Sequence, residues 1–419
     1  MSLNPLSYFE RKIDVSPDLS SLTSIGEGEI SPELVGLSED AGEIIWAAAE
    51  ELYLTGLHPT VSICIRRYGE VLLNRTIGHR SGNGPGDNDE PVLATPDTPM
   101  CLFSASKAVT AMLIHLLEEQ GELNVLNPVS HYIPEFGANG KKHITVHQLL
   151  SHRAGISRLK NIDPEMLLES SEILKRLYGE KPSTLHGREV AYSAITNGYV
   201  LGELVQRITG KNIREFMREQ IQQPLGFKYF NYGVPNQQVD DVARNYSTGL
   251  PNVFPLRQLA RRALGMTFEQ AVELSNEPRF LQRIIPSGNI IATADECSQF
   301  YQCLLNGGKL DGKRIFQPVT IERATQEVSR FDIDRVLMLP LRYSAGMMLG
   351  HAGVGLYGPA TAQAYGHLGM TNNFCWADPE REISVAILTS GNPILGSHFP
   401  RLGKLLYAIS KQCKRLVKD

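Results

Sequence analysis

The chain lacks a long apolar run, an excess of basic residues and any cysteine pair at metal or redox spacing, and each absence removes a class of protein. No stretch approaches membrane-spanning length. Met1 to Val15 carries Glu10, Arg11 and Lys12 where a secretory leader needs an apolar run, so a cytoplasmic address is expected. A net charge of −4 leaves no electrostatic footprint for nucleic acid or an acidic membrane. Lysine and arginine cluster only at the C-terminus (Lys411, Lys414, Arg415, Lys418), as on the solvated face of a last helix. The six cysteines (Cys64, Cys101, Cys297, Cys303, Cys375, Cys413) are scattered through apolar segments, which predicts reduced core thiols rather than disulfides or a metal site.

Two motifs fail for want of one residue each. Gly307-x4-Gly312-Lys313 has Arg314 where a phosphate-binding loop needs Ser or Thr to hold magnesium, and its Gly-Gly and Asp-Gly pairs predict a turn or hairpin instead. His143-x3-His147 could set two imidazoles on one helical face, yet no glutamate stands between them for a zinc-protease pattern. Neither a metal nor another cofactor is expected. The Gly-x-Ser-x-Gly elbow is absent too, which argues against the α/β-hydrolase scaffold.

The 419 residues have ordinary apolar and charged fractions, enough for two domains or one large domain with an insertion. A helix is predicted over Ser38–Thr55, then a hairpin with Val61, Ile63 and Ile65 on one strand, a Tyr68-Gly69 turn and Val71–Ile77 on the other. Residues 80–90 (RSGNGPGDNDE) read as a loop. From Ser104 to about Arg283 the periodic segments are helical. Thr293-x-x-Glu296 predicts a capping box on a helix ending at Asn306-Gly307. Strands are predicted at Tyr343–Leu349, Asn372–Trp376 and Ile383–Leu388, followed by an amphipathic helix through Leu402, Leu405, Leu406 and Ile409. This order suggests one antiparallel sheet built from both ends of the chain, residues 1–115 with 285–419, and a helical lobe over 116–284.

What is present is chemistry at Ser104-Ala105-Ser106-Lys107, at the head of an apolar stretch running to Leu117. Three residues apart on a helix, Lys107 comes within reach of the Ser104 hydroxyl. A buried amine is costly to keep charged, so its pKa should fall and it could take a proton from serine. The spacing alone is weak, since about one chance match is expected in a chain of this length. Ser157-x-x-Lys160 is a second match and reads as a solvated loop. Two further segments carry candidates: Tyr192 in Ala191-Tyr192-Ser193-Ala194, before a helix, and His367 and Gly369 in Tyr365-Gly366-His367-Leu368-Gly369-Met370, before a strand. The glycine would let backbone approach a ligand closely.

Together the three segments, in this order, resemble the serine β-lactamase and penicillin-binding superfamily, closest to its class C β-lactamase-like branch with family VIII carboxylesterases and related acyltransferases. Ile144–Gly155, which contains His152, and Pro286–Thr293 look like the family as well. The resemblance implies an α/β (α+β type) β-lactamase/transpeptidase-like fold, an antiparallel sheet flanked by helices plus an all-helical lobe, with the site in the cleft between. It implies Ser104 as nucleophile, Lys107 and Tyr192 as a shared base with lowered pKa values, and the backbone N–H groups of Ser104 and Met370 as oxyanion hole. His367 would bond to Tyr192 or the acyl ester. Class C β-lactamases have Asn where Ala194 stands and Lys where His367 stands. Loss of both contacts favours a short-chain, small-molecule ester over an anionic β-lactam. Acyl transfer to an alcohol and weak cephalosporin hydrolysis are the alternatives, and the oligomeric state stays open.

Overall fold

The computed structural model describes residues 9–157, 159, 164–184, 187–251, 256–329 and 332–416. Its main sheet is antiparallel and joins the two ends of the chain. β1 (Thr23–Ile25), β2 (Thr60–Arg67) and β3 (Glu70–Ser81) come from the first part. β4 (Arg342–Tyr343), β5 (Met348–Leu349), β6 (Tyr365–Gly369), β7 (Asn373–Asp378) and β8 (Ile383–Thr389) come from the last. The order is β1-β3-β2-β8-β7-β6-β5-β4, with Val92–Leu93 added beside β3. The seam is β2 against β8, in register from Thr389 opposite Val61 to Ile383 opposite Arg67. The Tyr68-Gly69 turn holds φ 54° and 91°, both left-handed, as a two-residue hairpin requires.

The helices that cover the sheet or carry the site are α1 (Ala41–Tyr53), α2 (Ser106–Glu119), α3 (Thr196–Thr209), α4 (Leu256–Leu264), α5 (Ala294–Leu305) and α6 (Phe399–Gln412). Alternate strand residues bury against opposite layers, as a period of two dictates. Val61, Ile63, Ile65, Trp376, Val385 and Ile387 share a core with α1 and α6. Cys64, Cys375, Ala377, Ala386 and Leu388 belong to the other core, with α2 and α5. Ser62 and Arg66, polar in the sequence pattern, therefore do not face water. Ser62 bonds to the Thr76 hydroxyl at 2.7 Å, and Arg66 donates to Ser298 Oγ at 3.0 Å and pairs with Asp295 of α5.

The predicted capping box of α5 is present: the Thr293 hydroxyl accepts from Glu296 N at 3.1 Å, and Glu296 accepts from Thr293 N at 3.0 Å. Buried Glu296 also accepts the Tyr229 and Phe230 N–H groups, so the cap ties α5 to the helical region. A small sheet of Met100–Cys101, Ile290–Ala292 and Asn231–Tyr232 stitches the chain's exit into that region to its return. Helix α2 runs on through 115/116, so that boundary falls inside a continuous helix.

Several expectations change. Tyr343–Leu349 is two short strands broken at Ser344–Met347. Tyr365–Gly369 does not precede a strand; it is one, its periodicity diluted by two glycines. In the 80–90 segment Arg80 and Ser81 still belong to β3. The Gly307–Lys313 segment, by contrast, is the hairpin expected, Lys309–Leu310 against Lys313–Arg314, with Asp311 and Gly312 left-handed in its turn. His143 lies in a turn ahead of the Val146–Leu150 helix, so it does not share a helical face with His147. Ser157 is buried rather than solvated, and Lys160 lies outside the described residues. All six cysteines are free and buried. Among the described residues no helix is long and apolar enough to cross a membrane.

Candidate active site

Ser104 sits in a single 3-10 turn, Phe103–Ala105, that leads into α2. Phe103 carries a left-handed φ of 47°, a strained conformation for an aromatic residue that turns the chain sharply just before the serine. From Ser106 to Leu117 every residue of α2 is buried, which fixes the turn against the core it shares with α5. Each Leu, Ile or Met buried there contributes about 1.5–3 kcal/mol, so the platform is rigid.

Lys107 Nζ lies 2.9 Å from Ser104 Oγ and donates at 3.0 Å to the Ser287 carbonyl. The side chain is buried, and desolvation brings the amine from its ordinary 10.5 down to about 7. The Pro286–Thr293 stretch thus supplies a direct partner of the lysine. Ser287 Oγ in turn donates to the Ile195 carbonyl at 2.9 Å, which links this stretch to the tyrosine segment.

Tyr192 hydrogen-bonds Ser104, and its ring lies 5.1 Å from Lys107 Nζ. Contrary to the expected lowering, its phenol is pushed well above its ordinary value. Burial is the chief cause; the Ser104 hydrogen bond opposes it and the Asp334 charge adds to it. At neutral pH Tyr192 is a proton donor, whereas Lys107 is poised between its two states. His152 packs on the tyrosine, ring centroids 4.9 Å apart, and accepts the Ser193 N–H at 3.2 Å. Burial, with His367 and Lys107 nearby, keeps it neutral.

His367, on β6, does not bond to Tyr192; the ring centroids are 6.2 Å apart. Its Nδ1 pairs with the Leu368 carbonyl at 2.8 Å, which leaves the buried Nε2 without a partner among the described residues. Burial depresses its pKa to about 3, so it supplies no fixed cation at neutral pH. Gly369 allows a close backbone approach within the protein: a Cβ there would stand 2.3 Å from the Leu102 carbonyl oxygen. That contact draws β6 against the Ser104 turn, and Asn373 reinforces it by donating to the Cys101 carbonyl at 2.9 Å. On β6 only Tyr365 and Gly366 pair with β5, and Leu368 and Gly369 beyond them line the cleft.

Ser104, Tyr192, Ala194, Gly369 and Met370 open on one cleft of about 370 Å³. Its walls are Leu167, Phe268, Leu274 and Phe280 on the helical side and Leu337, Met348 and Leu368 on the sheet side. No described residue lining it is charged. Leu264 and Met266 complete the lining; residues 252–255 lie outside the described residues. Among the described residues no three His, Cys, Asp or Glu side chains cluster as metal ligands would.

Sequence reasoning missed Asp334 altogether. It is buried, yet its carboxylate accepts the Tyr192 N–H, the Val336 and Leu337 N–H groups and the Tyr343 hydroxyl. No local pattern marks an acid 142 residues from its partner.

A serine at the head of a buried helix, a partly neutral lysine on its hydroxyl and a tyrosine beside both define an enzyme of the serine-hydrolase kind on a sheet-and-helix fold. The chain belongs to the beta-lactamase family, whose model matches residues 47–405. It is 31% identical over 310 residues to the esterase/beta-lactamase LipL of Mycobacterium tuberculosis, covering 70% of this chain and 69% of LipL. A penicillin-binding protein homologue from Caulobacter crescentus superimposes with TM-score 0.77 at 29% identity, over 89% of this chain and 98% of the other. A family VIII carboxylesterase superimposes with TM-score 0.76 at 24% identity, over 90% and 99%, a likeness of fold. The expected β-lactamase/transpeptidase-like fold is therefore the fold of this chain, and the protein is a hydrolase of the esterase/β-lactamase-like serine superfamily.

Proposed function

We propose that the protein is a serine carboxylesterase that hydrolyses neutral esters, short-chain esters among them, through an acyl-Ser104 intermediate. The observation that carries the reading is the uncharged, apolar cleft directly over the Ser104–Lys107 pair. Ala194 offers a methyl group where an amide would contact a β-lactam, and His367 is neutral where a cation would hold its carboxylate.

Neutral Lys107 takes the Ser104 proton as Oγ attacks the ester carbonyl carbon, and the carbonyl electron pair moves onto oxygen. The Ser104 and Met370 N–H groups stabilise that oxyanion. As it collapses, the ester C–O bond breaks and Tyr192 gives its phenol proton to the leaving alkoxide. A phenol held protonated by burial is suited to this step, because an alkoxide is far more basic than a phenolate. The proton held by Lys107 replaces the one Tyr192 has lost. Water then attacks the acyl carbon and loses a proton to Lys107. The C–Oγ bond breaks, and the ammonium returns its proton to Ser104.

The test is kcat/KM for p-nitrophenyl butyrate against nitrocefin at neutral pH. Each lost hydrogen bond to a charged group costs about 1.5–3 kcal/mol, roughly ten- to a hundredfold, so the ester should lead by about two orders of magnitude or more. Equal or greater efficiency on nitrocefin contradicts the reading.

A further inference from the structure

Three segments that meet in one apolar cluster and wall the cleft also carry side chains exposed to solvent. In the loop 332–341, Leu337, Leu339 and Leu341 line the cleft, while Ile333 and Met338 are 58% and 66% exposed and Leu339 is itself half exposed. In the hairpin of Val354–Gly355 and Gly358–Pro359, Leu356 lines the cleft and Val354 is 84% exposed. In α4, Leu264 lines the cleft and Ala260 is buried, whereas Arg257 and Arg261, one turn apart, are exposed. Single exposed apolar residues need no explanation, but a cluster continuous with the apolar wall of a site marks an interaction surface.

We propose that this face docks on the surface of an anionic phospholipid bilayer, from which the enzyme draws its ester substrates. Ile333, Met338 and Val354 would enter the headgroup–acyl boundary, and Arg257 and Arg261 would meet the anionic headgroups. The net charge of −4 belongs to the whole chain and gave no sign of this local arrangement. A protein partner seated on the same patch would close the cleft, whereas a fluid lipid surface delivers an apolar ester straight into it. Docking itself does not depend on the chemistry; only the substrate drawn from the surface rests on the carboxylesterase reading.

The test is sedimentation of Ser104→Ala protein, which cannot turn over, with vesicles of phosphatidylcholine alone and of phosphatidylcholine mixed with phosphatidylglycerol. It should bind the mixed vesicles in preference, and adding Ile333→Ser/Met338→Ser/Val354→Ser should weaken binding about tenfold or more. Arg257→Glu/Arg261→Glu should abolish the preference for anionic vesicles. The serine triple variant with Ser104 intact should keep the parent's kcat/KM on soluble p-nitrophenyl acetate, which shows that it is folded. Protein left in the supernatant with both vesicles, equal binding to phosphatidylcholine alone, or undiminished binding by the triple variant overturns the proposal. Failure of the parent to hydrolyse soluble esters counts against the carboxylesterase reading and leaves docking to stand on the vesicle result.

Discussion

The backbone N–H of Tyr192 points into the carboxylate of Asp334, 3.0 and 3.2 Å from its two oxygens, and the same carboxylate accepts the Tyr343 hydroxyl at 3.1 Å. Asp334 touches no part of Ser104 or Lys107. It fixes where the tyrosine segment hangs over them and joins that segment to the loop that lines the cleft.

Asp334→Asn should therefore act as a positioning defect. It keeps the shape but turns an acceptor for several N–H groups into a half-donor, and kcat should fall about tenfold with KM little changed. Asp334→Ala leaves those buried donors unpaired and should cost more than about 2 kcal/mol of stability by denaturant titration. A loss confined to KM would place Asp334 in substrate binding instead.

Lys107 is stored in the fold at a cost. Its folded pKa of about 7 lies below the ordinary 10.5, so between those values the unfolded chain binds more protons and stability rises with pH. Lys107→Met should abolish esterase activity yet raise stability at neutral pH by a few kcal/mol, at about 1.4 kcal/mol per pH unit. The gain should shrink as pH climbs towards 10.5. In the parent enzyme, kcat/KM should fall as pH drops through about 7, because only the neutral amine accepts the serine proton.

His58 and His398 form a buried pair, rings 5.7 Å apart and edge-to-face. Burial is the first cause that lowers them, to about 3 and about 4. Neutral histidines of this kind give stability that is complete above their ordinary 6.5 and lost as pH falls towards 4. Thermal melts should show that loss, and His58→Phe should flatten it. An unchanged acid limb would assign the loss to other groups.

Lys107 and Tyr192 handle one proton between them, so Lys107→Ala and Tyr192→Phe should each lower kcat severely while the double variant loses little more. Multiplicative losses would show independent roles.

The pairing of Ser104 with Lys107 was legible because three residues on one turn settle the distance. The paired strands around Tyr68-Gly69 and the Thr293–Glu296 cap were legible for the same local reason. What depends on contacts far apart in sequence was not. Asp334, the Ser287 carbonyl on Lys107 and the Leu102 carbonyl against Gly369 leave no periodic trace. Nor was the direction of the Tyr192 pKa visible. Lowering by a neighbouring charge competes with raising by burial, and burial is fixed only when the cleft closes around the ring.

The nucleophile is the central claim, and intact-mass analysis with a fluorophosphonate ester tests it most directly. The parent protein should gain one adduct, mapped to the peptide holding Ser104 and suppressed by prior incubation with substrate, and Ser104→Ala protein should gain none. An adduct on Ser104→Ala protein, or one mapped to Ser157, would contradict the account.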